Sequence, residues 1–186
     1  AGADRHLKQQ TVVPLEAQAH YDLGIILSRE GRFADAVGHF EKALALAPDD
    51  ALIHYSLAFI FEEKRKLEEA ARHYSKAWQL EPENPQALLR LGIVLAAHGD
   101  LEAAVVHLSK FLEIEPKNVM ARTNLGVALG EQGKLTEAVE QFSEALQIAP
   151  RDANLHRNLA NICSKQERPD EAIAHYSEAA RIDPDH

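Results

Sequence analysis

Five prolines stand in register, at Pro48, Pro82, Pro116, Pro150 and Pro184, each 34 residues after the one before. A fixed period of this length constrains the fold more than any other feature, because it reduces the chain to one short unit copied in tandem. With each unit ending two residues after its proline, the units run 17–50, 51–84, 85–118, 119–152 and 153–186. Position 7 of the unit is always leucine: Leu23, Leu57, Leu91, Leu125 and Leu159. Position 8 is small (Gly24, Ala58, Gly92, Gly126, Ala160), and position 20 is alanine throughout (Ala36, Ala70, Ala104, Ala138, Ala172). Position 24 is bulky (Phe40, Tyr74, Leu108, Phe142, Tyr176). Position 27 is Ala43, Ala77, Phe111, Ala145 and Ala179.

Within a unit, apolar residues recur at three- and four-residue steps, as in Leu23, Ile26, Leu27 and then Ala36, Phe40, Ala43, Leu44. That pattern predicts an amphipathic helix, a break and a second amphipathic helix. Gly31, Gly99 and Gly133 lie at the break, where a helix end adopts the left-handed conformation. Asp50, Asn84, Asn118 and Asp152 follow the proline and are positioned to cap the next helix. Small residues at positions 8, 20 and 27 let the two helices approach, and position 24 fills the space between them. Phe111, in place of alanine, predicts local repacking in the third unit. The expectation is an all-α fold of ten helices without sheet. One pair cannot bury its apolar face alone, so the pairs must stack into a solenoid.

The recurring residues at positions 7, 8, 20, 24 and 27, with the proline at 32, resemble the tetratricopeptide repeat signature over residues 17–186. The resemblance implies a right-handed superhelical solenoid of five helix pairs. In that family the first helices of successive pairs line a concave face, and ligands touch positions 2, 5, 6, 9, 12 and 13. Carried onto this chain, those positions give an apolar stretch of Tyr21, Ile25, Leu52, Tyr55, Phe59, Leu89, Ile93, Met120 and Val127. A polar stretch follows, of Asn154, Arg157, Asn158, Asn161 and Lys165, approached through Arg90 and Asn124. The apolar row at position 9 (Ile25, Phe59, Ile93, Val127) either marks a binding surface or packs between adjacent first helices. The resemblance thus implies a non-catalytic scaffold or adaptor, binding an apolar peptide or partner helix with an acidic part near Arg157 and Lys165. Arg157 and Asn161 match the opening of the family's carboxylate clamp without the further units that would finish it, and a clamp opened from unit three instead fails at Leu89 and Ile93. Asn124 and Asn158 match an asparagine ladder known in protein O-linked N-acetylglucosaminyltransferases, which Asp22, Ser56 and Arg90 interrupt. The alternative reading is therefore the substrate-recruiting arm of a larger enzyme, and a third is a self-assembling scaffold.

Other chemistry finds little support. The net charge is −9, with basic residues scattered, which disfavours a nucleic-acid partner. No apolar run approaches the length of a membrane span. Cys163 is the only cysteine, so no disulfide forms within the chain and thiolate zinc patterns are excluded. Its position 11 is a core site. Four of ten histidines fall at position 23 (His39, His73, His107, His175) and three at position 4 (His20, His54, His156). Equivalent positions in neighbouring units stand roughly 10 Å apart, the spacing of packed helices, so this ladder cannot converge on one ion. These histidines read as flat, partly buried side chains, and neither metal nor cofactor is expected. Residues 1–16 read as a tail or as the remnant of an earlier half-repeat, since Pro14 also keeps the period. The last unit ends without a polar cap, which predicts either a fragment of a longer chain or self-association through this end. The expected compartment is cytoplasmic, with a removed signal peptide left open.

Overall fold

The computed structural model describes residues 14–184. Ten helices and no strand occur among them: α1 (Leu15–Arg29), α2 (Phe33–Leu46), α3 (Ala51–Glu63), α4 (Leu67–Leu80), α5 (Gln86–His98), α6 (Leu101–Ile114), α7 (Val119–Glu131), α8 (Leu135–Ile148), α9 (Ala153–Lys165) and α10 (Pro169–Ile182). Each odd-numbered helix packs against the even-numbered one that follows, and each even-numbered helix against the next odd one. Five hairpins therefore stack in sequence order.

Local chemistry sets the boundaries. Asp50 accepts from the backbone N–H groups of Leu52 and Ile53, Asn118 from Ala121, and Asp152 from Asn154 and Leu155. Asn84 makes the same bond to the residue two ahead, accepting from the Gln86 N–H at 3.3 Å, and Pro85 between them takes a helical conformation at a position whose N–H no cap uses. Asp100 caps α6, which the proline register does not announce. Between the helices of a hairpin, Gly31, Gly99 and Gly133 take φ of 75°, 94° and 79°. The next N–H then closes on a carbonyl five residues back, as from Arg32 to Leu27 and from Asp100 to Leu95. Repeats two and five make the same turn with Arg65 and Glu167, at φ of 58° and 59°.

Inside each hairpin the position-24 side chain lies on position 8. A Cβ added to Gly24 or Gly126 would stand 2.6 or 2.7 Å from the ring of Phe40 or Phe142. Phe111 is fully buried, in the cluster that joins repeats three to five. Leu108 at position 24, where other repeats have an aromatic ring, compensates the added volume at position 27. Between hairpins, position 7 carries the contact. Leu57, Leu91, Leu125 and Leu159 are all buried and cluster with position-24 or position-27 residues of the preceding even-numbered helix. Leu23, with no preceding helix among the described residues, is 44% exposed.

The left-handed turns supply a prediction. An L side chain there costs about 1–2 kcal/mol that glycine avoids, less the greater freedom glycine has when unfolded. Arg65→Gly and Glu167→Gly should each stabilise the fold by roughly 0.5–1 kcal/mol in denaturant melts. Gly31→Arg should destabilise it by a similar amount.

Candidate functional site

The odd-numbered helices touch one another across repeats, α1 with α3, α5 with α7 and α7 with α9, whereas even-numbered helices make no comparable contacts. In a curved stack the inner layer is the closer one, so the odd-numbered helices form the inner wall. The expected apolar residues divide along it. Tyr21 and Tyr55 are half-buried, with their rings against Phe40 (centroids 5.7 Å apart) and Tyr74 (5.2 Å). Ile25 and Ile93 are half-buried and pack on core clusters. Leu89 is buried outright and belongs to the core, contrary to its expected place in the groove. Phe59 and Val127 remain 37% exposed, and Leu52 and Met120 are more exposed still. A cleft of about 280 Å³ opens between repeats two and three, lined by Leu52, Tyr55, Ala77, Glu81 and Gln86.

The polar residues are less free than the sequence suggests. The Arg90 guanidinium lies 3.2 Å from Glu62, whose other oxygen accepts the Tyr74 hydroxyl at 2.7 Å. Burial, and then the bond to Glu62, push the Tyr74 phenol well above its ordinary range, so it stays a neutral donor. Arg157 donates to the Asn154 side chain, and Asn161 accepts from the Tyr176 hydroxyl. Asn124 donates to the Met120 carbonyl of its own helix at 2.8 Å. Asn158 is half-buried, and Asn154 and Lys165 are exposed. The Glu62–Arg90–Tyr74 network escaped the repeat pattern because its members sit at different positions of two units.

A second feature joins the two helices of a hairpin. Positions 4 and 23 face each other within one repeat, and in three repeats both are histidine. The pairs are His20–His39, His54–His73 and His156–His175, with Nδ1···Nδ1 separations of 3.0, 2.9 and 3.1 Å. Repeat four places Arg122 and Gln141 there, 3.1 Å apart, and in repeat three the Nδ1 of His107 is buried without a partner. This pairing lies inside one repeat, where spacing between successive repeats does not reveal it. Burial lowers the His54 and His175 imidazoles, and brings His73, which also faces His54 and Arg72, down to about 4. Cys163 is buried, which pushes its thiol up and makes it a poor nucleophile. No group of three or more metal-ligating side chains occurs among the described residues, and no helix there is long and apolar enough to cross a membrane.

A stack of five similar hairpins, with exposed apolar and polar side chains on its inner helices, is the architecture of a repeat scaffold for protein interaction. Three family models described as tetratricopeptide repeat match residues 117–185, residues 62–125, and residues 3–51 with 21–80, and the chain belongs to that family. The structure is similar to that of YrrB, described as a tetratricopeptide repeat protein with an unusual peptide-binding site. The two share 26% identity and a TM-score of 0.82, over 91% of this chain and 88% of that one. MamA from Desulfovibrio magneticus RS-1 shares the fold, with a TM-score of 0.88 at 17% identity over 92% and 97% of the two chains. MamA MSR-1 does so with a TM-score of 0.81 at 24% identity, over 92% and 98%. No curated protein matches the chain.

The histidine slot predicts acid sensitivity. His73 has a folded pKa of about 4 against an ordinary value of 6.5, so between these the unfolded chain binds a proton that the folded chain refuses. The His73 contribution to stability is therefore fully present above pH 6.5 and is lost as pH drops towards 4. Denaturant melts across this range should show the decline, and His73→Gln should flatten it.

Proposed function

We propose that the chain is a scaffold whose inner wall holds an extended or helical segment of another protein. The observation that carries this reading is the surplus of apolar surface on the inner helices. Ile25 and Ile93 are half-buried against the core clusters, but Phe59, Val127, Leu52 and Met120 stay open to solvent along one side. A run of exposed apolar side chains on a curved wall suits an apolar stretch of ligand. At the far end, Asn154, Arg157, Asn158, Asn161 and Lys165 offer amides and positive charge to a polar or acidic portion. Asn124 lies between the two. Likeness to YrrB supports a peptide as the type of ligand. Phe59 and Val127 suit mutation better than Ile93, whose loss would also open the core.

Phe59→Ser with Val127→Ser should weaken binding of an apolar peptide, selected from a random peptide library by the wild-type chain, at least tenfold by fluorescence anisotropy. Circular dichroism should show the helices retained. Unchanged affinity would remove the apolar wall from the reading. Arg157→Glu should weaken acidic members of the same selection, and the difference should shrink as salt rises.

A second reading concerns the ends of the stack. In inner repeats, positions 21, 24 and 28 of the even-numbered helix lie under the next odd-numbered one, but in α10 Ile173 and Tyr176 are 62% and 43% exposed. At the other end of the described residues Leu23 and Ile26 are exposed, at the positions that meet a preceding helix in later repeats. These are the two halves of one junction, and a second copy stacked end to end would unite them. Sedimentation should show association rising with concentration and abolished by Ile173→Glu. A monomer throughout would exclude it.

A further inference from the structure

Three hairpins carry the same two imidazoles in the same slot, and what that slot accepts does not depend on the groove. Each pair bridges the two helices of its hairpin, α1 to α2, α3 to α4 and α9 to α10. Two observations bear on its chemistry. The first is a fixed tautomer. The Nε2–H of His54 donates to the Pro48 carbonyl at 3.1 Å, and that of His156 to the Pro150 carbonyl at 3.4 Å. A proton held on Nε2 leaves Nδ1 a bare lone pair, and it is turned to the facing ring. Metal-binding imidazoles are commonly oriented in this way, by a carbonyl on the other nitrogen.

The second observation is the gap itself. Two nitrogens sharing an ion at ~2.0–2.1 Å stand ~2.9 Å apart at a right-angled bite and ~3.3 Å apart at a tetrahedral one. The observed gaps of 2.9–3.1 Å lie near the right-angled value. Nickel and copper favour such tetragonal sites, and imidazole suits both. We propose that each histidine pair is a two-imidazole site for a divalent late transition metal of this preference, with Ni²⁺ as its simplest probe.

Without metal, one Nδ1–H fills the gap as a hydrogen bond. On binding, that ring carries its proton on Nε2 instead, so both Nδ1 lone pairs face the ion and no net proton is released. The rings now meet nearly head-on, with centroids 5.2–5.3 Å apart, and must swing so that their lone pairs converge. All six imidazoles are half-buried, so water reaches the remaining coordination positions. Two protein ligands make a weaker site than the four of a structural zinc centre. The ion would staple the two helices of a hairpin, adding to stability in those repeats alone. Repeats three and four, with Leu88 opposite His107 in register and Arg122 bonded to Gln141, lack the pair.

Calorimetric titration of Ni²⁺ into the full chain, beside His39→Gln, His73→Gln and His175→Gln singly and together, tests this. Glutamine already stands at position 23 in repeat four, so the fold tolerates it there. Each single variant should bind one ion fewer than the wild type and the triple variant three fewer. His6, His98, His107 and His186 are common to all variants and cancel in the difference. Ni²⁺ should raise the melting temperature of the wild type and leave that of the triple variant unchanged. Equal Ni²⁺ uptake by the wild type and each single variant would overturn the assignment, and would leave the pairs as hydrogen-bonded clamps only.

Discussion

Among the described residues, the leucine at position 7 of an odd-numbered helix is buried where an even-numbered helix precedes it, and the rest of the architecture depends on that contact. Leu57, Leu91, Leu125 and Leu159 find such a neighbour and are almost wholly removed from water, while Leu23, with no preceding helix among the described residues, remains 44% exposed. Fully burying a leucine is worth about 1.5–3 kcal/mol, so every junction matters on the scale of a whole domain's stability. A hairpin has two apolar faces and can cover neither by itself. Stability is then a sum of hairpin terms and nearest-neighbour terms, and weakness at one junction is felt chiefly by the repeats beside it.

Inside the hairpin two other slots divide the work. The slot between positions 8 and 24 is set by shape. Glycine faces Phe40, Leu108 and Phe142, and a Cβ there would come within 3 Å of each side chain. Alanine stands opposite the tyrosines, whose hydroxyls are fastened to the odd-numbered helix at Glu62 and Asn161. Compensation also runs between layers, as Leu108 and Phe111 exchange the large and small places that other repeats give to positions 24 and 27. The slot between positions 4 and 23 is set by polarity instead. Two imidazoles or an arginine with a glutamine satisfy each other there. Repeat three shows the cost of a mismatch: its His107 nitrogen is buried without a partner, and a buried polar atom in that state gives up free energy that a paired one keeps.

Much of this was legible in the sequence, because a period of 34 residues turns each position into five independent observations. Helix number, order, the glycine turns and the four post-proline caps follow from pattern and local chemistry alone. What failed had particular physical reasons. Leu89 was assigned to the groove by position, yet it sits where the cluster around Phe111 draws it inward. The histidine pairs were missed because periodicity compares one repeat with the next, whereas positions 4 and 23 meet across a hairpin. The expected half-repeat before residue 14 lies outside the described residues. Groove residues were harder than core residues for a general reason. Burial repeats with the period, but exposure depends on what each neighbour happens to cover.

The same distinction shapes the charge of the inner wall. Arg90 and Arg157 stand at neighbouring inner positions of their helices and read alike in sequence, but their partners differ. Arg90 is matched by the carboxylate of Glu62, so its positive charge is largely cancelled in place. Arg157 is held by the neutral amide of Asn154, which orients the guanidinium without neutralising it, and Lys165 adds a second exposed cation on the same helix. The excess of positive charge therefore gathers at repeat five, while exposed apolar surface gathers at repeats two and four. A chain carrying −9 overall, with a cationic end on its inner wall, presents an asymmetric surface to anything lying along it. For a ligand lying along the inner wall as proposed, that asymmetry would set a direction, with its apolar part beside Phe59 and Val127 and its acidic part beside Arg157. Reversing the ligand would set carboxylates against apolar side chains, which desolvates them without return.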